Sequence, residues 1–515
     1  MNRFLFNKDY PIWIPLIIGA AFRLINISSP LLGVHSWRQA DTAAMARNFA
    51  NNATPIWLPQ VDWGGATGGY VECEFPLYPY IVAQIYRVFG VHDSIGRYLS
   101  VLFSLITIYI VICIGRKIFD PISGWWAGIF LSFLPLSVYY GRTFQPEALL
   151  ILLAAISIDR MIAWKNNRKI FNLYISWFSF CLACLIKVLP FIWLGAPLFF
   201  IASCNSSWTS TYCLQSIYDQ IRNCIRNLYV YIFSISALFI AAIWFYYSYH
   251  LGQETGITFG FWGQSSDRSS LSMLLDVQNW LDFSMRISIR NLSIIGIPIV
   301  ILGTLRSYKT NAGLFLISGL LGVFVCNCFA FRSSLAHEYY QLPFQLFFSL
   351  LMGKGFSSLI KELKLRRIYK SLKISTIIII TSISLTVVYY DYYLLENRQS
   401  DVWIDFANRI KKEVPVEAKI VSVSGDDPTL LNLARRSGWV VHIKDVNYQN
   451  LLRLKSEGAN YLIGSKHWVE SYNKTTDSEK KYISNILRCN DISESNCSYF
   501  INENYIIPFS KLFLR

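Results

Sequence analysis

About eleven apolar segments recur along the first 395 residues, each near the ~20 residues that a helix needs to cross the hydrocarbon core of a bilayer. They fall near 11–27, 95–115, 123–140, 147–163, 171–186, 188–204, 229–249, 291–306, 311–331, 340–358 and 374–394. Soluble domains carry about 25% charged residues, whereas this 515-residue chain carries 15%, with 53% apolar residues. A single water-soluble globule, a disordered chain and a disulfide scaffold are all poor fits. The sequence specifies a mostly α polytopic membrane protein.

The net charge of +15 does not point to nucleic acid. The Lys and Arg cluster in short segments between apolar blocks, which is how orientation in a membrane is set. With the N-terminus in the cytosol, the inner loops hold Arg116-Lys117, Arg160 to Lys169, Arg222 and Arg226, Arg306 and Lys309, and the run Lys361 to Lys370. The other side shows mainly the single cations Arg142, Lys187 and Arg332. The basic lead with Arg3 and Lys8 precedes an apolar stretch without a small-residue cleavage site, so the first segment is expected to be a retained span. An odd number of spans leaves the long loop 28–94, residues 250–290 and everything after about 395 outside. The 250–290 loop carries Gly260-Phe-Trp-Gly263 and Trp280. No internal repeat is visible.

The division expected is a transmembrane domain, 1–395, and a small extracytoplasmic α/β domain, 396–515. In the latter, β-rich runs at 419–424, 439–443 and 461–464 alternate with amphipathic stretches near 401–414, 427–436 and 447–457. Asp427-Pro428 reads as a helix start, and Gly438 and Gly458 as residues just past helix ends. Ser424-Gly-Asp-Asp427 lacks a phosphate-binding glycine fingerprint, so docking an acceptor or capping a site is the role expected of this domain. Most of the eleven cysteines lie in apolar spans as small hydrophobes. Cys489 and Cys497 are the exception, and a disulfide between them is an open pairing if the region is outside the cytosol.

Ionisable side chains at membrane depth are functional candidates, and here they gather on one side. The first outer loop opens with His35-Ser-Trp-Arg-Gln-Ala-Asp-Thr42, followed by a short amphipathic helix, 43–50, expected at the interface. Asp41 stands just before it as cap or acid, with Arg38 one turn earlier and His35 and Trp37 in the same turn. Glu72 and Glu74, in Val71-Glu-Cys-Glu-Phe-Pro-Leu-Tyr-Pro-Tyr80, alternate on an extended stretch that points both carboxylates the same way. Pro76 and Pro79 stiffen the backbone around Tyr78. Arg142 and Glu147 fall in Tyr139-Tyr-Gly-Arg-Thr-Phe-Gln-Pro-Glu147 at the outer rim. Lys187 interrupts the turn between the fifth and sixth spans, where it either snorkels or serves. Arg332, His337, Glu338 and Tyr340 lie in Arg332-Ser-Ser-Leu-Ala-His-Glu-Tyr-Tyr-Gln-Leu-Pro343.

Cations at bilayer-surface depth suit a phosphate carried by a lipid, a carboxylate beside them suits a general base, and Tyr and Trp suit the faces of sugar rings. Together they imply group transfer from a lipid-linked phosphate donor on the non-cytosolic side. Glu72, Glu74 and His337 could also gather a divalent cation, Mg²⁺, Mn²⁺ or Zn²⁺, although their separation in sequence gives no spacing signal.

These stretches, taken in order, resemble the GT-C membrane glycosyltransferases. The nearest branch holds the dolichyl-phosphate-mannose protein mannosyltransferases and the bacterial lipid A aminoarabinose transferases, and the similarity covers roughly the first 360 residues. The resemblance implies a GT-C fold, a polyprenyl-phosphate sugar donor, inverting transfer and no nucleotide-sugar site. It makes Asp41 the match to the family's first-loop aspartate. The family often has a second acid beside it; Thr42 stands there in this chain, so Glu74 is the substitute expected. The aminoarabinose branch has Glu-Lys-Pro where this chain has Glu74-Phe-Pro76, which shifts the donor phosphate to Lys187, Arg142 and Arg332, with Arg38, His337 and Tyr340 in support. His35, Glu72, Tyr78, Glu147 and Glu338 are secondary candidates. The acceptor is a hydroxyl or amine on a glycolipid, a lipid-linked glycan or a protein. A bacterial inner membrane fits better than the endoplasmic reticulum, although Asn-x-Ser/Thr patterns occur at Asn52, Asn473 and Asn496. The rivals are a ligase or polymerase using a diphosphate-linked glycan, a transporter or flippase with ionisables at the midplane, and a noncatalytic sensor of sugar lipids.

Overall fold

The computed structural model describes the chain except for residues 1–9, 205, 213–217, 219–221, 223, 224, 227, 261–268, 365–368, 466–499, 502, 503 and 513–515. The cysteines 489 and 497, the patterns at Asn473 and Asn496 and positions 261–263 lie outside the described residues. Among the described residues, four helices are long and apolar enough to cross a membrane: Asp93–Ile118, Leu228–Thr255, Asn311–Phe329 and Ile374–Glu413. A fifth results if Val277–Asn291 and Gly296–Ser307, bent by 89°, count as one. The remaining expected spans are helical too, but they are short, as in Trp13–Leu24 and Ile170–Ile186, or carry charge. Glu147–Asn167 holds Glu147, Asp159, Arg160 and Lys165.

The chain forms two compact units. The first comprises Met1–Ile27, Gly96–Tyr247 and Gln264–Tyr393. Its helix Pro121–Phe133 starts on Asp120, which accepts from Ser123 N at 2.9 Å ahead of a first-turn proline, a favourable N-terminus. It breaks at Pro135, which has no N–H to offer the carbonyl four residues back. That carbonyl, on Leu131, receives Arg23 Nη2 at 3.2 Å. The guanidinium also donates to the carbonyls of Gly19, Ser132 and Ser137 and to Ser104 Oγ and Ser137 Oγ, both at 2.7 Å. A fully buried arginine, costly at membrane depth, is thus solvated by the backbone that a proline released. Helices Gly296–Ser307 and Phe344–Lys364 touch through Gly303 and Gly355, where added Cβ atoms would come within 2.0 Å of Leu351 O and 2.2 Å of Ile299 O. Beside this contact, Trp126 meets Phe356 edge-on at 4.5 Å in a core with Phe130, Phe133 and Met352.

The second unit comprises Ser28–Ile95, Ser248–Gly263 and Leu394–Arg515. It contains a five-stranded sheet of β1 (Lys419–Val423), β2 (Gly438–Val441), β3 (Ala459–Ser465), β4 (Phe500–Ile501) and β5 (Asn504–Pro508), in the order β2-β1-β3-β5-β4. β1 runs parallel to β2 and β3, and β5 antiparallel to β3 and β4. Successive strand residues face opposite sides. Ile420, Ile463 and Ile506 therefore pack with Phe406, Ile410, Leu430 and Leu431 on one face, and Val421, Leu462 and Ile507 with Leu451 and Leu454 on the other. The helices Leu394–Glu413, Thr429–Ala434 and Tyr448–Ser456 match the three amphipathic stretches. Gly458, at φ +99°, follows the last of them, whereas Gly438 opens β2 instead of closing a helix.

The segment Ser28–Ile95 is built onto this sheet. Gly438 N donates to Asp62 O at 2.8 Å, Lys419 Nζ to Gly65 O at 3.0 Å and Arg435 Nη2 to Val91 O at 3.3 Å. Its helix begins at Ser36, before Asp41, and runs to Asn52. Asp41 is therefore an interior helix residue and not a cap. The expected interfacial helix is instead buried along most of its length, from Arg38 to Arg47 and at Phe49. The Met45 and Phe49 side chains pack with Val61, Val71, Cys73 and Ile257, so protein takes the place of the lipid surface.

Candidate functional site

Asp41 is buried, 2% exposed, and its carboxylate Oδ1 accepts the indole Nε1–H of Trp63 at 2.9 Å. Among the described residues no cation pairs with it. Burial pushes its carboxyl well above the usual carboxylate range. The Trp63 hydrogen bond and the charge of Arg38 oppose that rise, and the negative charges of Asp62 and Asp427 add to it. The neighbouring acids are tied differently. Asp62 pairs with Arg47 and accepts from Asn48 Nδ2 at 3.4 Å. Burial works against the charge on Arg47, yet Asp62 holds its guanidinium above its ordinary value. Arg47 Nη1 also donates to Asn432 Oδ1 at 2.8 Å.

Arg38 Nη2 binds Glu74 Oε2 at 2.8 Å, and its guanidinium lies 5.7 Å from the Phe259 ring centre. Phe259 meets Trp37 edge-on at 6.0 Å, and Trp37 meets His35 at 6.5 Å. His35 precedes the helix with φ +57°, a left-handed backbone uncommon outside glycine. Glu72 and Glu74 part company. Glu72 is fully buried, its backbone laddered to Ile257 and Phe259 and its Oε2 receiving Gly260 N at 3.0 Å, while Glu74 stays 20% exposed on Arg38. Bridging of residue 72 to the 257–260 segment turns the two carboxylates to separate partners. Tyr78 is fully buried in helix Leu77–Phe89.

In the first unit, Lys187 ends helix Ile170–Ile186 and reaches Glu147 Oε1 at 2.8 Å, with the rings of Tyr339 and Tyr340 at 4.4 and 5.1 Å. His337 stacks on Tyr339 at 5.4 Å. Glu338 pairs with Arg290 and accepts from Tyr140 Oη at 3.1 Å, and Arg290 Nε also donates to Asp391 Oδ2 at 2.9 Å. Arg290 and Asp391 sit in two π-helical turns, Ile287–Asn291 and Tyr389–Tyr393, a geometry frequent at functional sites. Arg142 is fully buried, donating to Asn26 O at 3.0 Å under the ring of Tyr393 at 4.7 Å. Arg332 is exposed and has no partner among the described residues. An apolar cavity of about 420 Å³ in this unit is lined by residues including Trp164, Phe180, Phe191, Phe199 and Phe233.

Trp63, Asp62, Arg47, Arg290 and Asp391 escaped the sequence reading, and Asp427 entered it only as part of a helix start. A signal existed for Val61-Asp-Trp-Gly64, an acid and an aromatic together in the loop that already held Asp41. Among the described residues, no three His, Cys, Asp or Glu side chains gather as metal ligands. Glu74 is engaged by Arg38 and Glu72 by Gly260 N.

Residues 74–247 match the family model described as dolichyl-phosphate-mannose-protein mannosyltransferase. Comparison by sequence with curated proteins finds no match. Among solved structures, ArnT from Cupriavidus metallidurans bound to undecaprenyl phosphate is 11% identical over 97% of both chains, with a TM-score of 0.59. Its apo state is 10% identical over the same shares, at 0.58. The archaeal oligosaccharyltransferase AglB from Archaeoglobus fulgidus, in complex with an inhibitory peptide and a dolichol-phosphate, is 11% identical over 88% of this chain and 69% of that one, at 0.53. The chain therefore has the fold of ArnT and AglB, the GT-C fold that the sequence resemblance implied.

Proposed function

We propose that this protein is a membrane glycosyltransferase that moves a sugar from a polyprenyl-phosphate donor to an acceptor hydroxyl or amine on the non-cytosolic face, with inversion. The observation that carries this reading is Asp41: a buried carboxylate, held by a neutral indole, unpaired by any cation among the described residues and shifted toward higher proton affinity. That is the environment of a general base. The acceptor oxygen or nitrogen attacks the anomeric carbon, its proton passes to Asp41, and the bond to phosphate breaks with its electron pair left on the phosphate oxygen. Phosphate leaves readily at neutral pH, so its departure needs neutralising charge rather than a strong acid.

In this reading Arg38 and Glu74 order the first-loop side of the site, and His35, Glu72 and Tyr78 buttress it. The donor phosphate falls to Arg142, Lys187 and Arg332, with His337 and Tyr340 near them and Glu147 and Glu338 as their counter-ions. The match to the mannosyltransferase model and the undecaprenyl phosphate and dolichol-phosphate in the ArnT and AglB structures support a lipid-linked donor. The apolar cavity suits isoprenoid units. The same reading has eleven crossings, a cytosolic N-terminus, a C-terminal α/β segment outside and a bacterial inner membrane. The test is turnover of polyprenyl-phosphate sugars by the full-length protein in lipid nanodiscs, with and without chelator. Donor hydrolysis or transfer lost in Asp41→Asn supports the reading, and turnover at a near-normal rate in that variant removes Asp41 from the base role.

A further inference from the structure

Asp41 has neighbours from the far end of the chain. Trp63, which holds it, packs both on the Met45, Phe49 and Val61 cluster and on the Phe406, Ile420, Leu430 and Leu431 cluster. Helix Ser36–Asn52 lies against helix Thr429–Ala434, and the Arg47 to Asn432 hydrogen bond pins the two together. Asp427 stands two residues ahead of that second helix, in the turn leaving β1. The turn is rigid: Gly425 has φ +67°, Ser424 Oγ donates to the Asp427 carbonyl at 2.7 Å, and Asp427 Oδ1 accepts from Thr429 N at 2.9 Å. β1 has parallel neighbours on both sides, and ligands of such sheets gather outside the C-terminal ends of strands at the point where the strand order reverses.

The acids around Asp41 are not equivalent. Asp62 is neutralised by Arg47 and Glu74 by Arg38. The hydrogen bonds to the Asp427 carboxylate come from Thr429 alone, with no cation among the described residues. Burial also pushes the Asp427 carboxyl up.

We infer that Asp427, delivered by the turn after β1 ahead of the helix that packs on the Asp41 helix, is the second carboxylate of the Asp41 site and a positioning residue that acts through Asp41. This rests on the transferase reading, and it gives the C-terminal segment a part in the chemistry. Burial is the largest influence and opposes charged Asp41; Trp63 and Arg38 favour the charge, and Asp62 and Asp427 add to the opposition. Arg47 offsets Asp62, and Glu74 offsets Arg38. Asp427 itself gains and loses no proton in the net reaction.

The test uses pH-difference infrared spectra of the full-length protein in nanodiscs, with no substrate present. The band of protonated Asp41 is identified by its loss in Asp41→Asn. Its midpoint moves to lower pH in Asp427→Asn, whose amide oxygen can still accept from Thr429 N as Asp427 Oδ1 does, and returns toward the original value in Asp427→Glu. An unmoved midpoint in a folded Asp427→Asn protein overturns the proposal. Because this readout needs no turnover, failure of the transferase reading is seen separately, as turnover that survives Asp41→Asn.

Discussion

Lys187 in the first unit and Asp41 in the second are buried charges handled in opposite ways. In the first, Lys187 meets a carboxylate and two aromatic rings, and Arg290 meets two carboxylates. In the second, Asp41 is as deeply buried but rests on an indole. Low-dielectric surroundings make an uncompensated charge expensive, so a purely structural role demands pairing or a full shell of hydrogen bonds such as that around Arg23. Asp41, which no cation pairs among the described residues, has a carboxyl that burial pushes up. That contrast sets the paired Lys187 and Arg290 apart from Asp41.

The largest effect that probes this contrast is expected at Asp41. Asp41→Asn should lower turnover by about 10²–10⁴, the usual contribution of a general base, while raising the unfolding temperature. The sign follows from linkage: a carboxyl raised in the folded state binds more protons there than when unfolded, so stability falls as pH climbs above the ordinary carboxylate value toward the raised one. Removing the ionisable group removes that loss at neutral pH. Calorimetry showing a less stable Asn variant would break the comparison.

Next comes the paired region. Lys187→Met strands Glu147, which is 1% exposed on its side chain, and should cost about 3–5 kcal/mol, the range for breaking a buried pair. Lys187→Met with Glu147→Leu should recover most of it, as denaturant titrations would show. A smaller change belongs to Trp63→Phe. Losing a hydrogen bond to a charged group is worth about 1.5–3 kcal/mol, and because that bond favours ionised Asp41, the acid limb of the rate profile should move to higher pH. At the bottom of the scale, Arg453→Ala breaks only the exposed pair with Glu457 four residues on. It should shift stability by under about 0.5 kcal/mol.

Period and punctuation carried much of the fold. The alternation in 419–423 and 461–464 matches β1 and β3, and Asp427-Pro428 marks a real helix start. The antiparallel strand Asn504–Pro508 was invisible, because its partner β3 lies some forty residues earlier and only tertiary pairing defines it. Asp41, Arg38 and Glu74 could be named from the chain because they lie in one loop. Asp427 and Asn432 could not, since their relation to that loop spans almost 400 positions. Of the eleven expected spans, four or five pass by length and composition among the described residues, for a related reason. Hydropathy sees Leu131 to Ser137 as continuous, while Pro135 divides it and Arg23 occupies the gap.

The tie between Arg47 and Asn432 joins positions 385 apart in sequence. A ribosome delivering this chain makes Asp41 among the first tenth of its residues and the turn that abuts it in the last fifth. During all the intervening synthesis helix Ser36–Asn52 stands without helix Thr429–Ala434 against it, so this part of the fold closes only when the chain is nearly finished.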